Sequence, residues 1–284
     1  MPSLRRLVGA GHRVELVVTQ PDRAGHRLRL APPAVKVAAE DLGLPVFQPE
    51  KIRMPESVAR LAAAAPELIV VVAYGQIIPR SVLQIPPRGV LNVHGSLLPR
   101  HRGAAPVNHS ILSGDRVTGV TIMRMDEQLD HGPVLATRET PIHPGEDAAQ
   151  LAERLSLIGA ELLVETVARL DEIQPVEQEH EAATAAPKLT REDGELEWDL
   201  DAEEIDRRVR GLRPWPGVTL PLASGRVKVL RGRPLGGSGR PGEVLAAGRD
   251  GVEVAAGRGS YLLEEVQPPG RRPMPARALV ASGA

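Results

Sequence analysis

The sequence has no cysteine and few aromatic residues. None of its 284 residues is Cys, and only 2% are Phe, Trp or Tyr. The absence of Cys excludes disulfides, thiolate metal sites and cysteine nucleophiles, and it is typical of a protein in a reducing cytoplasm. The scarcity of aromatic side chains excludes base stacking on aromatic platforms as a main mode of nucleic-acid binding.

Long apolar runs are missing as well. No stretch approaches the ~18 consecutive apolar residues of a membrane span, and the first residues lack the apolar core and cleavage site of a secretion signal. We therefore expect a cytoplasmic protein with no membrane partner. With 42% hydrophobic and 25% charged residues, the chain is long enough for one large domain or two smaller ones.

Charge is unevenly distributed, although the net charge is only -1. Residues 1–40 carry 7 Lys or Arg against 3 Asp or Glu, residues 41–204 carry 14 against 27, and residues 205–284 carry 14 against 6. Basic ends indicate a polyanionic partner, because clustered Lys and Arg attract phosphates. Ordinary solvated surface charge is the alternative, and charge counts alone leave both open.

Apolar bursts alternate with helical patterns over the first 170 residues. Short buried strands are predicted for RVELVVTQ, ELIVVVAY and GVLNVH, and helices between them for PPAVKVAAEDLG and PESVARLAAAA. This alternation predicts an α/β domain with a parallel, doubly wound sheet. Two further strands are predicted for VTGVTIMRM and GPVLATRETPI, and a long amphipathic helix for residues 145–170.

The last third of the chain has a different character. Residues 174–196 are polar, acidic and interrupted by Pro, which predicts a linker. A helix is predicted for DAEEIDRRVRGL, and short β-like pieces with Gly-rich turns follow it. Strands at this spacing predict a small β-barrel. The predicted domains are therefore residues 1–173 and 197–284, joined by that linker.

The candidate site begins with Asn92 and His94, at the end of the apolar run VLNVH. Residues two apart in a strand project from the same face, so these side chains should lie side by side. Ligands of such sheets bind at the carboxyl ends of the strands. Imidazole exchanges protons near neutral pH, and an Asn amide can donate to a developing oxyanion.

Asp130, in DEQLDHG, adds a carboxylate that could orient the imidazole and favour its charged form. No Ser or Cys nucleophile accompanies these residues in an elbow motif. Asn, His and Asp together therefore suit the direct transfer of a small acyl group between two substrates. Spacing alone leaves open a structural role for His94 and a simple turn role for Asp130.

Two longer motifs, NVHGSLLPRHRGAAP and GDRVTGVTIMRMDEQLDHG, resemble the signature of the 10-formyltetrahydrofolate-dependent formyltransferases. The similarity extends through VVVAYGQIIP, KLTREDGELEWDL and PWPG, and so covers nearly the whole chain. It implies a Rossmann-like catalytic domain, a linker and a C-terminal barrel of the oligonucleotide-binding type. It further implies 10-formyltetrahydrofolate as formyl donor, no metal, and methionyl initiator tRNA as acceptor, in translation initiation.

The resemblance also implies roles for particular residues. The family's catalytic Asn, His and Asp fall on Asn92, His94 and Asp130. Protonated His94, with its pKa raised by Asp130, would stabilise the oxyanion together with Asn92. The implied folate-binding residues are Ser96, Leu97, Leu98 and Pro99, with the main chain of Ala73, Tyr74 and Gly75 lining the pterin pocket.

Contacts to tRNA are implied at two places. The family has a loop that reaches the tRNA acceptor stem, and the corresponding RAGHRLRLAPP contains Arg23, Arg27 and Arg29. The basic C-terminal region should contact phosphates without reading bases, through Arg207, Arg208, Arg210 and Arg213. No obligate protein partner is inferred.

The resemblance begins inside the family's first helix, so the strand and loop that normally precede that helix have no counterpart. That strand would lie in the middle of the sheet, where its loss leaves neighbouring main-chain groups unpaired. We expect a start upstream of Met1, in preference to a defective fragment. We also expect the chain as given to be weakly active and poorly stable.

Two rival functions remain at this point. A formyltransferase acting on a sugar nucleotide or another small amine could share the HGSLLP loop, but it would not need the basic segments at residues 23–29 and 205–284. A catalytically inactive tRNA- or folate-binding protein is suggested by the missing strand. An assay of formyl transfer with two candidate acceptors separates all three.

Overall fold

The computed structural model describes residues 1–24, 30–223 and 225–281. The chain divides into two compact units. The first comprises Met1–Pro106, Val117–Pro141 and Glu153–Ala186, and the second comprises Val107–Arg116, Ile142–Ala152 and Pro187–Ala284. The domain boundaries at residues 173 and 196 stay predictions.

The helices predicted in the first half of the chain are confirmed. Proline at the first position of a helix is favourable because its missing N–H needs no partner there, and three of these helices begin in that way. In chain order the helices are α1 (Pro2–Gly9), α2 (Ala34–Asp41), α3 (Pro55–Ala63), α4 (Arg80–Leu83), α5 (Pro106–Leu112) and α6 (Ala148–Ala168).

The strands of the first unit form parallel and antiparallel pairs. In chain order they are β1 (Val17–Val18), β2 (Arg23–Ala24), β3 (Leu30–Ala31), β4 (Val46–Phe47), β5 (Ile69–Val71), β6 (Val90–His94), β7 (Arg102–Gly103), β8 (Val117–Arg124), β9 (Val134–Pro141) and β10 (Ala185–Ala186). Strands β1 and β4 pair in parallel, as do β5 and β6 and also β7 and β10. Strands β8 and β9 continue the sheet of β5 and β6 in antiparallel order, so the sheet is mixed.

Among the described residues, the strands of the first unit form four separate sheets: β1 with β4, β2 with β3, β7 with β10, and the four strands in the order β5-β6-β8-β9. Val18 of β1 and Ile69 of β5 nevertheless pack on one apolar cluster, formed by Ile52, Leu61 and Val82. The prediction of a buried strand is wrong for β5, whose residues are half-buried and are followed by Val72, 44% exposed. The reason is that β5 pairs only with β6 among the described residues. The expected strand in the middle of the sheet stays a prediction.

The second unit is built on an antiparallel sheet, and its predicted helix and strands are confirmed. The elements are α7 (Ala202–Gly211), β11 (Val218–Leu222), β12 (Gly225–Leu235), β13 (Val244–Gly248), β14 (Gly251–Ala255), β15 (Ser260–Gln267), β16 (Met274–Pro275) and α8 (Arg277–Ala281). The order of five strands is β11-β12-β15-β14-β13, with β16 beside β15. Inward apolar residues alternate with outward polar ones on β12, as expected of a half-buried strand.

Among the helices in the described ranges, none is both long enough and apolar enough to cross a membrane.

Candidate active site

Strand β6 places Asn92 and His94 beside Asp130. The Asn92 Nδ2 atom donates a hydrogen bond to Asp130 Oδ1 at 3.2 Å, and Asp130 Oδ2 lies 3.7 Å from His94 Nδ1. Both side chains therefore reach one carboxylate, which confirms that they project from the same face of β6. Leu91, which directly precedes Asn92 in the strand, is fully buried. The structure thus brings together the three residues that the sequence singled out.

Asp130 lies between β8 and β9 in a backbone conformation that is uncommon for a side chain other than Gly. Its φ is +47°, in the left-handed region, which costs roughly 1–2 kcal/mol. The surrounding contacts offset this cost. The Gly103 N–H donates to Asp130 Oδ2 at 2.9 Å, and the Gln178 amide donates to the Asp130 carbonyl at 3.0 Å. Asp130 is only 8% exposed, and its carboxylate is therefore held in one orientation.

The pKa of His94 is lowered, and this corrects the expectation of a protonated imidazole. The side chain is 5% exposed, and burial disfavours its charged form more than Asp130 and the His101 carbonyl favour it. His94 Nε2 lies 2.9 Å from the His101 carbonyl oxygen, which can only accept a hydrogen bond. In the neutral ring Nε2 therefore carries the hydrogen, and Nδ1 is left free to accept a proton.

The loop that follows β6 is held by strand β8. Thr121 is fully buried, and its hydroxyl donates to the Ser96 carbonyl at 2.7 Å and accepts from the Leu98 N–H at 3.1 Å. The Ser96 hydroxyl donates to the Arg100 carbonyl at 2.6 Å. Residues 96–99, predicted to bind folate, thus form a loop with a fixed shape. Sequence reasoning missed Thr121 because it looks like any strand threonine.

The turn after β5 lies at the same edge of the sheet as that loop, because β5 and β6 run parallel with Val71 opposite Asn92. Ala73 has φ +46°, and neither Ala73 nor Gly75 makes a hydrogen bond within the described residues. The Tyr74 carbonyl accepts from Gln20 Nε2 at 2.8 Å, while its ring packs on the apolar cluster. The main-chain donors and acceptors of Ala73 and Gly75 are therefore unpaired within the described residues, and their place in a pterin pocket stays a prediction.

The arginines predicted to contact tRNA in the loop after β1 are only partly described. Arg23 is exposed and donates to Gln20 Oε1 at 3.1 Å, so it is linked through Gln20 to the turn after β5. Arg27 and Arg29 lie outside the described residues.

Three of the four arginines predicted on the second unit already have carboxylate partners. The closest nitrogen–oxygen distances are 3.0 Å for Arg208–Glu204, 2.7 Å for Arg210–Asp206 and 3.4 Å for Arg213–Asp147. The Nε atom of Arg207 is buried and has no partner in the described parts of the chain. The positive charge available here is therefore smaller than the residue count implies.

Two regions of the chain match models of protein families. Residues 5–167 match the model described as "Formyl transferase", and residues 188–283 match the one described as "Formyl transferase, C-terminal domain". The first match lies within residues 1–173, and the second begins inside the predicted linker and overlaps residues 197–283.

Curated relatives are similar over nearly the whole chain. The "Methionyl-tRNA formyltransferase" of Citrifermentans bemidjiense is 48% identical over 99% of this chain and 89% of its own length. The protein of the same name from Thermus thermophilus is 50% identical over 93% of this chain and 87% of its own.

A solved structure with a similar fold is the N-formyltransferase from Helicobacter canadensis in complex with folinic acid and dTDP-3-aminofucose. The TM-score is 0.66, and the match covers 92% of this chain and 93% of that one. At 13% identity the likeness concerns the fold alone.

Proposed function

Because the chain belongs to the formyl transferase family, we propose that Asn92, His94 and Asp130 carry out the formyl transfer. The chain transfers the formyl group of 10-formyltetrahydrofolate to the α-amino group of methionyl initiator tRNA, which supports translation initiation. The observation that supports these roles is the convergence of an amide, an imidazole and a carboxylate at the end of β6.

His94 is the proton acceptor in this proposal. The bound donor supplies a formyl carbon that the amine can attack. His94 Nδ1 takes a proton from the attacking amine, because the lowered pKa leaves that nitrogen unprotonated at neutral pH. Asp130, 3.7 Å away, stabilises the positive ring that results. Its carboxylate also fixes the position of Asn92 through their hydrogen bond. As the bond between the formyl carbon and N10 of the folate breaks, His94 gives the proton to that nitrogen, so the formyl group stays on the amine and tetrahydrofolate leaves.

Asn92 stabilises the negative charge that develops on the formyl oxygen. Its amide has two N–H groups, and one of them is used on Asp130 Oδ1. The other is free to point at the reacting carbonyl. Such a fixed donor is worth roughly 3–4 kcal/mol in the transition state where it has been measured. A donor already oriented before the reaction needs no reorganisation during it.

The folate is held by the two loops at the edge of the sheet. Residues 96–99 supply a fixed wall, and the main chain of Ala73–Gly75 supplies polar groups for the pterin edge. Holding both substrates next to His94 turns a bimolecular reaction into an effectively unimolecular one. We place this reaction in the cytoplasm, because the relatives are bacterial enzymes of translation.

Acceptor choice tests the proposed function. We expect the purified chain to formylate methionyl initiator tRNA in the presence of 10-formyltetrahydrofolate and to leave an amino-sugar nucleotide unmodified. Single-turnover assays with the two acceptors, measured by the formyl label retained on each, make the comparison. The same assay with H94Q is the blank. Faster transfer to the amino-sugar nucleotide would instead indicate the sugar-nucleotide activity, and transfer to neither would indicate a binding protein.

Salt dependence tests the predicted tRNA contacts of the second unit. Changing Arg207, Arg208, Arg210 and Arg213 together to Gln is expected to raise KM for charged tRNA and to flatten its dependence on salt, because fewer counterions are released. The slope should change by less than the roughly three units that four phosphate contacts would give, because three of these arginines are paired.

The measurement is the slope of log KM against log salt concentration. The matched control is Arg169→Gln, which removes an exposed arginine that pairs with Glu172 in the first unit. An unchanged slope in the fourfold variant would move the tRNA contacts elsewhere on the chain.

A further inference from the structure

We propose that Gln178 is a positioning residue for the formyl transfer, acting through the main chain of Asp130; this rests on the proposed role of Asp130. Gln178 belongs to the segment that the sequence predicts to be a linker, yet it is only 7% exposed. Its amide nitrogen donates to the Asp130 carbonyl at 3.0 Å and to the Gly132 carbonyl at 2.7 Å. Both hydrogens of the amide are therefore used on the turn that contains Asp130.

Arg102 determines which way the Gln178 amide faces. Its guanidinium donates twice to Gln178 Oε1, at 3.1 Å from Nε and 2.7 Å from one terminal nitrogen. A terminal nitrogen also lies 2.8 Å from His180 Nδ1. Because guanidinium nitrogens only donate, the oxygen of Gln178 must face Arg102 and the NH₂ must face Asp130. The orientation of the amide is thus decided by its partners.

Stacked imidazoles form a further contact between this segment and the turn that contains Asp130. The rings of His131 and His180 are parallel within 6°, with centroids 3.9 Å apart, and His131 Nδ1 lies 2.7 Å from Asp126 Oδ2. Since His131 directly follows Asp130, the segment that contains Gln178 and His180 contacts the turn through side-chain stacking as well as through hydrogen bonds.

The same stretch of chain also holds the partner of that carboxylate. Strand β10 pairs with β7, placing Ala186 opposite Gly103, whose N–H donates to Asp130 Oδ2. A Cβ on Gly103 would lie 2.5 Å from the Ala186 carbonyl oxygen, so the main chains of β7 and β10 approach each other too closely here for a larger residue. Residues 176–186 thus fix both the main chain of Asp130 and the direction of its carboxylate. Misplacing a reacting group by about 1 Å can cost roughly 10²-fold in rate.

The variant Q178L keeps a side chain of similar size and removes both donors to the turn, together with the oxygen that accepts from Arg102. We expect kcat to fall roughly 10- to 100-fold, with KM for 10-formyltetrahydrofolate within a few fold. Asp130 raises the pKa of His94, so a displaced Asp130 lowers it further. The acid limb of the kcat profile should therefore move to lower pH. The control T166V removes another buried hydrogen bond, from Thr166 Oγ1 to the Leu162 carbonyl, and should change neither quantity.

A double-mutant cycle with D130N tests whether Gln178 acts through Asp130. Q178L should change kcat less than about threefold in the D130N background, because the group it positions is gone. An equal loss in both backgrounds overturns the proposal. If Q178L has the kcat of the wild type while D130N is slow, the role of Gln178 is overturned and that of Asp130 stands. If D130N also has the kcat of the wild type, both the role of Gln178 and the proposed catalytic role of Asp130 are overturned.

If Q178L does not fold, R102M takes its place in the double-mutant cycle. R102M removes the guanidinium that holds the oxygen of Gln178, so the amide of Gln178 becomes free to rotate. A loss of kcat smaller than that expected for Q178L, together with a shift of the acid limb to lower pH, supports the proposal. An unchanged kcat and acid limb in folded R102M overturns it.

Discussion

Replacement of His94 by glutamine is expected to lower kcat by roughly 10²- to 10⁴-fold, the usual range for loss of a general acid–base group. Glutamine retains a polar side chain of similar reach, which can still donate to the His101 carbonyl. It has no nitrogen that accepts a proton, so the attacking amine must lose its proton to water. The KM for 10-formyltetrahydrofolate should stay within a few fold, because residues 96–99 are held by Thr121 and not by His94.

The pH profile identifies His94 as the group responsible. Burial places its pKa below the ordinary value of 6.5, so the unprotonated form is present at neutral pH and is lost as the pH falls through the lowered pKa. The acid limb of the kcat profile should therefore lie below pH 6.5 in the wild type. In H94Q the part of the acid limb that is due to His94 should be missing. Titration of the substrate amine affects the pH profiles of both proteins equally, so it does not account for the difference.

His143→Gln is the matched control, since it makes the same substitution at an exposed position. It should leave both kcat and the acid limb unchanged. A folded H94Q that turned over at the wild-type rate would show that water or another group accepts the proton, and the proposed mechanism would be wrong.

Strand periodicity was enough to predict the relation of Asn92 to His94. Residues two apart share a face whatever the tertiary structure, and both side chains do reach Asp130. The helices around them were predictable for the same reason, since their apolar positions repeat with the helical period. Local rules therefore gave most elements and the order of the polar residues along β6.

The sign of the pKa shift of His94 could not be predicted in that way. A carboxylate partner raises the pKa of a histidine and burial lowers it, and the larger effect depends on how completely the ring is enclosed. Enclosure depends on the tertiary structure around the ring, including the His101 carbonyl in the loop that follows β6 and the turn at Asp130, which is distant in sequence.

The contacts of Gln178 and the neutralised charge of α7 could not be predicted from composition either, because both depend on the partners of individual side chains. A polar segment with Pro reads as a linker, although its amide and backbone groups can hydrogen-bond to another loop. Counting arginines likewise ignores their partners: Arg208 and Arg210 pair with Glu204 and Asp206 one turn away. That spacing of four is visible in the sequence and could have been used.

Replacement of Asn92 by alanine is expected to lower kcat by roughly 10²- to 10³-fold, the loss measured when a single oxyanion donor is removed. The reason is that the free N–H of its amide meets negative charge only in the transition state, so substrate binding should change little. Asp130 keeps its hydrogen bond from the Gly103 N–H in this variant, so the carboxylate stays oriented.

A second substitution at the same position separates loss of a donor from a general disturbance. Asn92→Asp keeps the shape but places a carboxylate beside Asp130 and next to the developing oxyanion, so it should be slower than N92A. Asn108→Ala is the control, since it removes an amide that donates to the Gly211 carbonyl at 2.7 Å within the second unit, and it should retain kcat. Single-turnover rates at saturating donor and charged tRNA give the comparison. Equal rates for N92A and N92D would mean that Asn92 stabilises no negative charge, and the oxyanion role would have to be assigned to another group.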